Sequence, residues 1–383
     1  MELACFQRSA NRVWSPALEG ALDSPRTLVL VFAGGADEQV RSIPAEVFDA
    51  FPSSVIVGCS TSGEICGDAV FDDTVTVGVA KFSSSELVAV AAPLLDARGS
   101  QQCGADLAAQ LLSAEVDGPL RAVLILAPGL EVNGSALVRG LGEALPADVQ
   151  VTGGLAGDGS RFGDTWVLAD GHLLAEQAVA VGFFGRDLRV GHGSEGGWEV
   201  FGPERRITAA EGNVLRELDG KPALELYRAY LGNLADDLPA SGLRFPLAVR
   251  ESDHAERALV RTLLAIDEDE QSMIFAGDVP QDWSAQLMGA DADQLLDGAH
   301  AAAGAAVAVV DVDQPVLAVA VSCVGRRMVL GEACDEELER TLEVLPPGSL
   351  QVGFYSFGEL SPSTTGVCEL HNQTMTMTTI AEV

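Results

Sequence analysis

The chain predicts a mixed α/β fold in two domains, with repeated strand–helix–strand units and mixed sheets; an α+β arrangement is the alternative. Three observations carry that expectation. The chain has 383 residues, more than one ordinary hydrophobic core organises. Apolar runs of strand length alternate with amphipathic stretches of helix length. One short turn motif also occurs three times, each copy at the carboxyl end of an apolar run: GCSTSGE at 58–64, TGGLAGD at 152–158 and GFYSFGE at 353–359.

After a lead-in over residues 1–25, the first copy opens with a strand at Thr27–Phe32 and an amphipathic helix at Asp37–Phe51. Val55–Val57 then enters GCSTSGE, and a strand pair follows at Thr74–Lys81 and Leu87–Ala91. The second copy repeats that order. Arg121–Leu126 reads as a strand, Ser135–Leu145 as a helix, and Val149–Thr152 enters TGGLAGD. Strands follow at Thr165–Leu168, Ala178–Phe184 and Leu188–His192. The third has a strand at Val316–Val321, a helix at Asp335–Leu345, and Leu350–Val352 entering GFYSFGE, with a strand at Thr374–Ile380 after it. A shared period changes what each motif can mean.

Between the second and third copies, Arg205–Gly232 holds a short strand, an Asp219-Gly220 turn and a helix with Pro222 in its first turn. Leu224, Tyr227 and Leu231 form one apolar face of that helix. Strand-like runs follow at 245–249, 259–266 and 272–277, then a helix at 291–305. The domain boundary is placed near Gly220, giving domains at 26–220 and 221–383.

The three motifs share a small first residue, a Gly in sixth place and an acid in seventh. Copies one and three also share a hydroxyl in fourth place, Thr61 and Ser356. The glycines supply positive φ or close backbone approach, and the acids can accept backbone N–H bonds in the turn. In open α/β sheets ligands collect at the carboxyl ends of strands. The turns are therefore either self-capped structural corners or the lip of a shared pocket. The candidate ligand-binding residues are Thr61, Glu64, Gly154, Asp158, Tyr355, Ser356 and Glu359, joined by Glu369, Asn372 and Gln373 of CELHNQT.

Composition narrows the function classes. The hydrophobic share of 48% against 21% charged marks a folded protein. A net charge of −33, with lysine only at positions 81 and 221, repels phosphate backbones and anionic leaflets. Lysine-poor acidity also suits a high-salt habitat. Met1–Arg12 has no basic segment followed by an apolar core, so no signal peptide is expected. The apolar stretch around 299–310 falls short of the roughly 18–20 residues of a membrane span. Seven cysteines without a C-x-x-C pair suit reduced thiols in the cytoplasm.

Catalytic patterns are incomplete. Ser60 has Gly58 before it, but Ser62 stands where a nucleophile elbow needs its second glycine. Cys59 has no histidine near it in sequence, and no phosphate-binding G-x-x-x-x-G-K-[ST] occurs. A hydrolase using Cys59 or the carboxylates is the remaining enzymatic alternative. None of the five histidines makes a zinc motif. His172 follows an Asp-Gly turn and is expected at the surface with His254 and His300. His192 lies in the glycine-rich VGHGSEGGW, and His371 lies among Glu369, Asn372 and Gln373, where four polar groups in five residues need partners or a ligand.

At GCSTSGE, TGGLAGD, GNVLRELDGKPALELYRAYLG, FYSFGELSP and CELHNQTMTMTTI the chain resembles the FIST family over nearly its whole length. The resemblance implies a cytoplasmic sensory protein without catalytic output, which binds a small ligand such as an amino acid and signals to a partner. Within the family, HGSEGGWEVFGPERRIT and FAGDVPQ are similar to stand-alone members that include haem-binding nitric-oxide sensors partnered with histidine kinases. That narrower resemblance implies haem as a possible, non-covalent cofactor, with His192 and His371 as the candidate iron ligands.

Overall fold

The structure is a computed structural model, and it describes every residue except 35–39, 160, 252–257, 311–312 and 364–365. His254 and the first turn expected for the Asp37–Phe51 helix lie outside the described residues.

The repeat seen in the sequence is a repeat in space. Unit one comprises β1 (Glu2–Arg8), β2 (Trp14–Ser15), β3 (Thr27–Ala33), α1 (Ile43–Ala50), β4 (Val55–Ser60), the hairpin β5 (Glu64–Cys66) and β6 (Ala69–Phe71), and β7 (Val75–Lys81). Unit two comprises β8 (Glu86–Pro93), α2 (Ser100–Leu112), β9 (Leu120–Ala127), α3 (Gly134–Ala144), β10 (Gln150–Leu155), the hairpin β11 (Val167–Ala169) and β12 (His172–Leu174), and β13 (Gln177–Phe184). Strand β14 (Leu188–Glu195) leads toward unit three.

An inserted module comes next. It holds β15 (Glu199–Glu211), β16 (Val214–Leu218), β17 (Lys221–Pro222), α4 (Ala223–Leu231), β18 (Leu247–Arg250), β19 (Leu259–Arg261), β20 (Leu263–Asp267), β21 (Ser272–Phe275) and β22 (Ser284–Gly289). Unit three resumes with α5 (Ala292–Val310), β23 (Leu317–Cys323), α6 (Val324–Leu330), α7 (Cys334–Leu342) and β24 (Leu350–Ser356). It closes with the hairpin β25 (Gly358–Pro362) and β26 (Cys368–His371), and β27 (Met375–Glu382).

In each unit two strands pair in parallel across a helical crossover, and a third pairs antiparallel beside them: β4-β3-β7, β10-β9-β13 and β24-β23-β27. The hairpins do not stay at home. That of unit one joins the sheet of unit three, that of unit two joins unit one, and that of unit three joins unit two. Edge strands also pair away from the strand they follow. β8 follows β7 but pairs with β13, and β14 follows β13 but pairs with β27. At the chain start, β1 pairs with β7, the place a strand following β27 would take. Three sheets are thereby linked in a ring, and sheet pairing crosses position 220 in both directions.

The apolar alternation of these strands explains the layers. One face of every sheet points to a common centre, where Leu30, Phe32, Leu124, Val181, Val321, Val352 and Phe354 are buried together. Phe32 and Phe354 stack there with centroids 5.0 Å apart. The other faces carry the helices: α1 on the first sheet, α2 and α3 on the second, α5 and α7 on the third. Each fully buried Leu, Val or Phe contributes about 1.5–3 kcal/mol.

The inserted module is a separate curled sheet with its own core around Ile207, Leu224, Tyr227 and Phe275. The apolar run 259–266 is broken at Thr262 into β19 and β20, which lie at opposite ends of that sheet's strand order. One residue cannot span a flat sheet, so the sheet bends round on itself. The 13-residue β15 runs through the whole module, where only a short strand was expected. Helix α2 was not anticipated either; its Gly104 and small residues dilute the apolar period.

The carboxyl end of the chain is pinned by one carboxylate. Glu382 accepts from the backbone N–H groups of Ser83, Ser84 and Ser85 at 2.5, 2.8 and 2.7 Å, and from the Ser85 hydroxyl at 2.7 Å. Those bonds overcome the opposing effect of partial burial and bring its pKa down to about 2 from the ordinary 4.5. A lowered carboxyl stabilises the fold above the unfolded value, so this contribution is lost as pH falls from about 4.5 to about 2. Glu382→Gln should therefore lower thermal stability at neutral pH, by about 1.5–3 kcal/mol. Its melting temperature should converge on the parent's in acid, which calorimetry at pH 7 and pH 3 will read.

Candidate functional site

The three repeated turns meet at the centre of the ring. Ser62 N–H donates to the Tyr355 carbonyl at 2.8 Å, and Tyr355 N–H donates to the Gly63 carbonyl at 2.9 Å. Gly157 N–H donates to Ser60, and Phe357 N–H to Leu155, each at 3.1 Å. Turn one thus holds turn three, turn two holds turn one, and turn three holds turn two. Gly63 has φ of +137°, where an L side chain is strained. At Gly157 the reason is space, since a Cβ would lie 2.3 Å from Ser62 Oγ.

Copies one and three use their shared residues alike. Thr61 Oγ1 donates to Glu64 Oε1, and Ser356 Oγ donates to Glu359 Oε1 at 2.6 Å. The second carboxylate oxygen accepts from Thr74 in one case, through N–H at 3.0 Å and hydroxyl at 2.7 Å. In the other it accepts from Thr374, at 3.2 and 3.1 Å. Both carboxyls are fully buried, and burial outweighs these bonds, pushing each pKa up to about 7 from 4.5. Sequence reading missed Thr74 and Thr374; the TVTV and TMTM runs they open were the available signal.

The remaining candidates divide. Asp158 caps its own turn, accepting from the N–H groups of Phe162, Gly163 and Asp164 at 3.0, 2.7 and 3.1 Å. Gly154 is buried opposite Glu359 in the β10–β25 register. Tyr355 donates to Glu337 at 2.7 Å, beside the fully buried Arg326–Glu337 ion pair. Gln373, at φ +62°, donates to the Leu243 carbonyl at 2.8 Å, and its own carbonyl accepts from Trp198. Glu369 is half-buried on β26. His172 and His300 are exposed as expected. Cys59 is fully buried, and burial pushes its thiol far above the ordinary range.

A cavity of about 680 Å³ opens on the other side of Thr374. Three parts of the fold bound it: β14 with the glycine-rich turn after it and Ala305 of the helix α5 packed on it (His192–Trp198, Ala305), the hairpin β25–β26 with the following turn (Pro362, Ser363, Leu370–Asn372), and the inserted module (Leu259, Val260, Met288). His192, His371 and Asn372 are thereby brought together, while the turn residues stay behind the wall. Glu359 reaches the cavity only through Thr374. Glu195 and Ser194 line it too, and Ser194 accepts from Thr376 at 3.1 Å. These were missed, although the glycines around them were conspicuous. At Gly191 and Gly193 a Cβ would meet the Ala306 and Ala302 carbonyls of α5 at 1.9 and 2.0 Å. The glycines thus let the helix lie directly on β14.

Among the described residues the same place in unit one is closed. Beside Thr74 there is only about 10 Å³, walled by Arg8, Ser9 and Ala10, about the limit for a single water. Arg8 stands opposite Val75 as Glu195 stands opposite Met375. It is 2% exposed and donates to Glu46 at 2.7 Å and Ser42 at 3.1 Å.

His192 is half-buried, and burial lowers its pKa, keeping the imidazole neutral. His371 Nε2 donates to the Ser361 carbonyl at 3.0 Å. Among the described residues no three His, Cys, Asp or Glu side chains are grouped to hold a metal ion. No helix there is long and apolar enough to cross a membrane.

Comparison with known proteins places this architecture. A FIST N domain matches residues 27–221 and a FIST C domain matches residues 223–362. The chain belongs to the FIST family. FIST domains are known as sensory and signalling domains that bind small ligands. Uncharacterised proteins of Mycobacterium bovis and Mycobacterium tuberculosis are each 29% identical to this FIST protein over 242 residues, 59% of either chain. The match thus spans about three fifths of the length of these relatives. A solved cyanuric acid hydrolase from A. caulinodans is similar over 100% of this chain and 98% of its own, at 12% identity and a TM-score of 0.34. That finding overturns the expectation of a chain without catalytic output, which is withdrawn. At this TM-score the likeness assigns no activity to the FIST protein.

The buried carboxyls make stability fall with pH. A carboxyl whose folded pKa is raised binds its proton more tightly in the native state. Its neutral form is present in both states below about 4.5, and the native state loses ground between about 4.5 and about 7. Each site accounts for on the order of 3 kcal/mol across that window. Glu64→Gln and Glu359→Gln should each flatten the slope of unfolding free energy against pH between 4.5 and 7, measured by urea denaturation. An unchanged slope in both would place the two carboxyls in the ionised form throughout.

Proposed function

We propose that this FIST protein is a sensor whose ligand, a small polar molecule, occupies the 680 Å³ cavity beside Thr374. The observation that carries the reading is the cavity's setting. Its size suits a small molecule, and its walls come from the three-unit body, an exchanged hairpin and the inserted module. A ligand touching all three biases how the module sits against the body, and a partner reads that bias. The partner is a signalling protein, a histidine kinase being the specific case, and the setting is the cytoplasm. Among the described residues the lining includes Glu195 but neither lysine nor arginine, and the whole chain carries −33. Neutral or cationic ligands are therefore favoured over anionic ones. Asn372 and His371 present polar groups to the ligand, and Glu359 braces Thr374 from behind.

A second reading rests on the two imidazoles that share the cavity. His192 is neutral, the form in which imidazole ligates iron, whereas His371 Nε2 is committed to Ser361. His192 would thus be the residue to hold the iron of a haem in a haem-dependent nitric-oxide sensor, and Leu259, Val260, Met288 and Trp198 would supply apolar contact.

Thermal-shift screening with neutral, cationic and anionic metabolites will test the first reading. A ligand at a hundred times its dissociation constant stabilises by about 2.7 kcal/mol. Asn372→Ala should then weaken binding about tenfold, and Glu195→Gln should weaken cationic ligands selectively. Ligands found only among anions, or affinity unchanged in both folded variants, would overturn it. Haem titration followed by absorbance will test the second. A Soret band lost in His192→Ala and kept in His371→Ala is expected, and no band at all would end that reading.

A further inference from the structure

Two of the seven cysteines come together from different sheets. Cys5 lies on β1 in the sheet of unit one, and Cys66 ends β5 in the sheet of unit three. Their Sγ atoms are 2.7 Å apart, approaching the roughly 2.05 Å of a disulfide bond. The backbone explains the approach. Cys5 pairs with Gly78 of β7, and Cys66 pairs with Val352 of β24. A Cβ on Gly78 would lie 2.7 Å from the Val352 side chain, so the missing side chain lets the two sheets close here. Both cysteines are partly exposed, unlike the buried Cys59, Cys103, Cys323 and Cys334.

We propose that Cys5 and Cys66 are an oxidisable dithiol, a modification site at which a hydroperoxide converts the pair into a disulfide that staples unit one's edge strand to the exchanged hairpin. The Cys66 thiolate attacks the peroxide, breaking its O–O bond, forming the sulfenic acid and releasing an alcohol or water. Cys5 then attacks the Cys66 sulfur, forming the S–S bond and expelling the sulfenic oxygen as water. Two thiols lose two protons and two electrons to one peroxide. Hydrogen bonding with Cys5 favours the Cys66 thiolate, so Cys66 is taken as the attacking and Cys5 as the resolving sulfur. An uncharged peroxide is not repelled by a chain of net charge −33, whereas anionic low-molecular-weight disulfides are.

The staple has a structural consequence. β1 is the strand that completes the ring of three sheets, and it belongs to the amino-terminal end of the chain. Joining it to β5 limits its detachment and closes a loop of about 60 residues in the unfolded state, which raises stability.

The test uses the full chain treated with equimolar hydrogen peroxide, then alkylated under denaturing conditions and mapped by mass spectrometry. Two of seven thiols should disappear with the loss of two hydrogens, in a cross-linked peptide pair carrying Cys5 and Cys66. The melting temperature should rise and return with dithiothreitol. Cys5→Ser should instead accumulate a sulfenic acid at Cys66 that dimedone traps, and Cys66→Ser should consume little peroxide. Oxidised glutathione should act more slowly than peroxide. Seven thiols surviving in the parent chain, a cross-link between other cysteines, or one joining two chains would each overturn the proposal, whatever the folding of the variants.

Discussion

Everything in this molecule hangs on the backbone hydrogen bonds among the three strand-end turns. Ser62 with Tyr355, Gly157 with Ser60 and Phe357 with Leu155 join segments some hundred to three hundred residues apart. Each turn leaves its own sheet at this point and sends its hairpin into another unit's sheet, so no unit can complete its sheet alone. Ring closure also enlists β1, which lies next to β7 where the third flanking strand is required. Such a body is dominated by long-range pairing and must assemble largely as a whole. The buried centre around Phe32 and Phe354 forms only when all three sheets are present.

Symmetry makes the hub, and departures from symmetry make the site. Glu64 and Glu359 hold equivalent threonines with equivalent bonds, yet one looks out on a closed corner and the other on a cavity. The difference lies one strand away. Arg8 fills the first corner and is held there by Glu46 and Ser42. Glu195 occupies the matching register in unit three and leaves the space open. The inserted module enters directly after that strand and supplies the cavity's third wall. The two corners thus differ in one side chain of matching register and in the module that follows it. The electrostatics follow, since the open corner carries an anion where the closed one carries a cation.

Much of the architecture was legible as pattern. The central strands of the three units, the helices at 43–50, 134–144 and 334–342, and the helix after Pro222 lie where apolar period and turn chemistry put them, whereas β1, inside the expected lead-in, and the short strands β5, β6, β12, β25 and β26 of the exchanged hairpins were not anticipated. The threefold motif was visible because it is local. Its meaning was not, because a seven-residue turn reads the same whether it lines a pocket or locks into two copies of itself. Most of the candidate residues, Thr61, Glu64, Asp158, Tyr355 and Ser356 among them, sit in the lock, while His192, His371 and Asn372 face the cavity. Nothing in the sequence near GCSTSGE announced Tyr355 as its partner.

The sequence by itself determined the α/β class, the threefold repeat, the family and the acidic character, since each is a property of spacing or composition along the chain. Only the tertiary structure decided which strands exchange between units, that the three turns interlock, that the third corner opens where the first is plugged, and that Cys5 meets Cys66. Those features depend on which distant backbones approach closely enough to share hydrogen bonds or sulfur contacts. Distance in space between residues hundreds of positions apart leaves no periodic trace in one sequence.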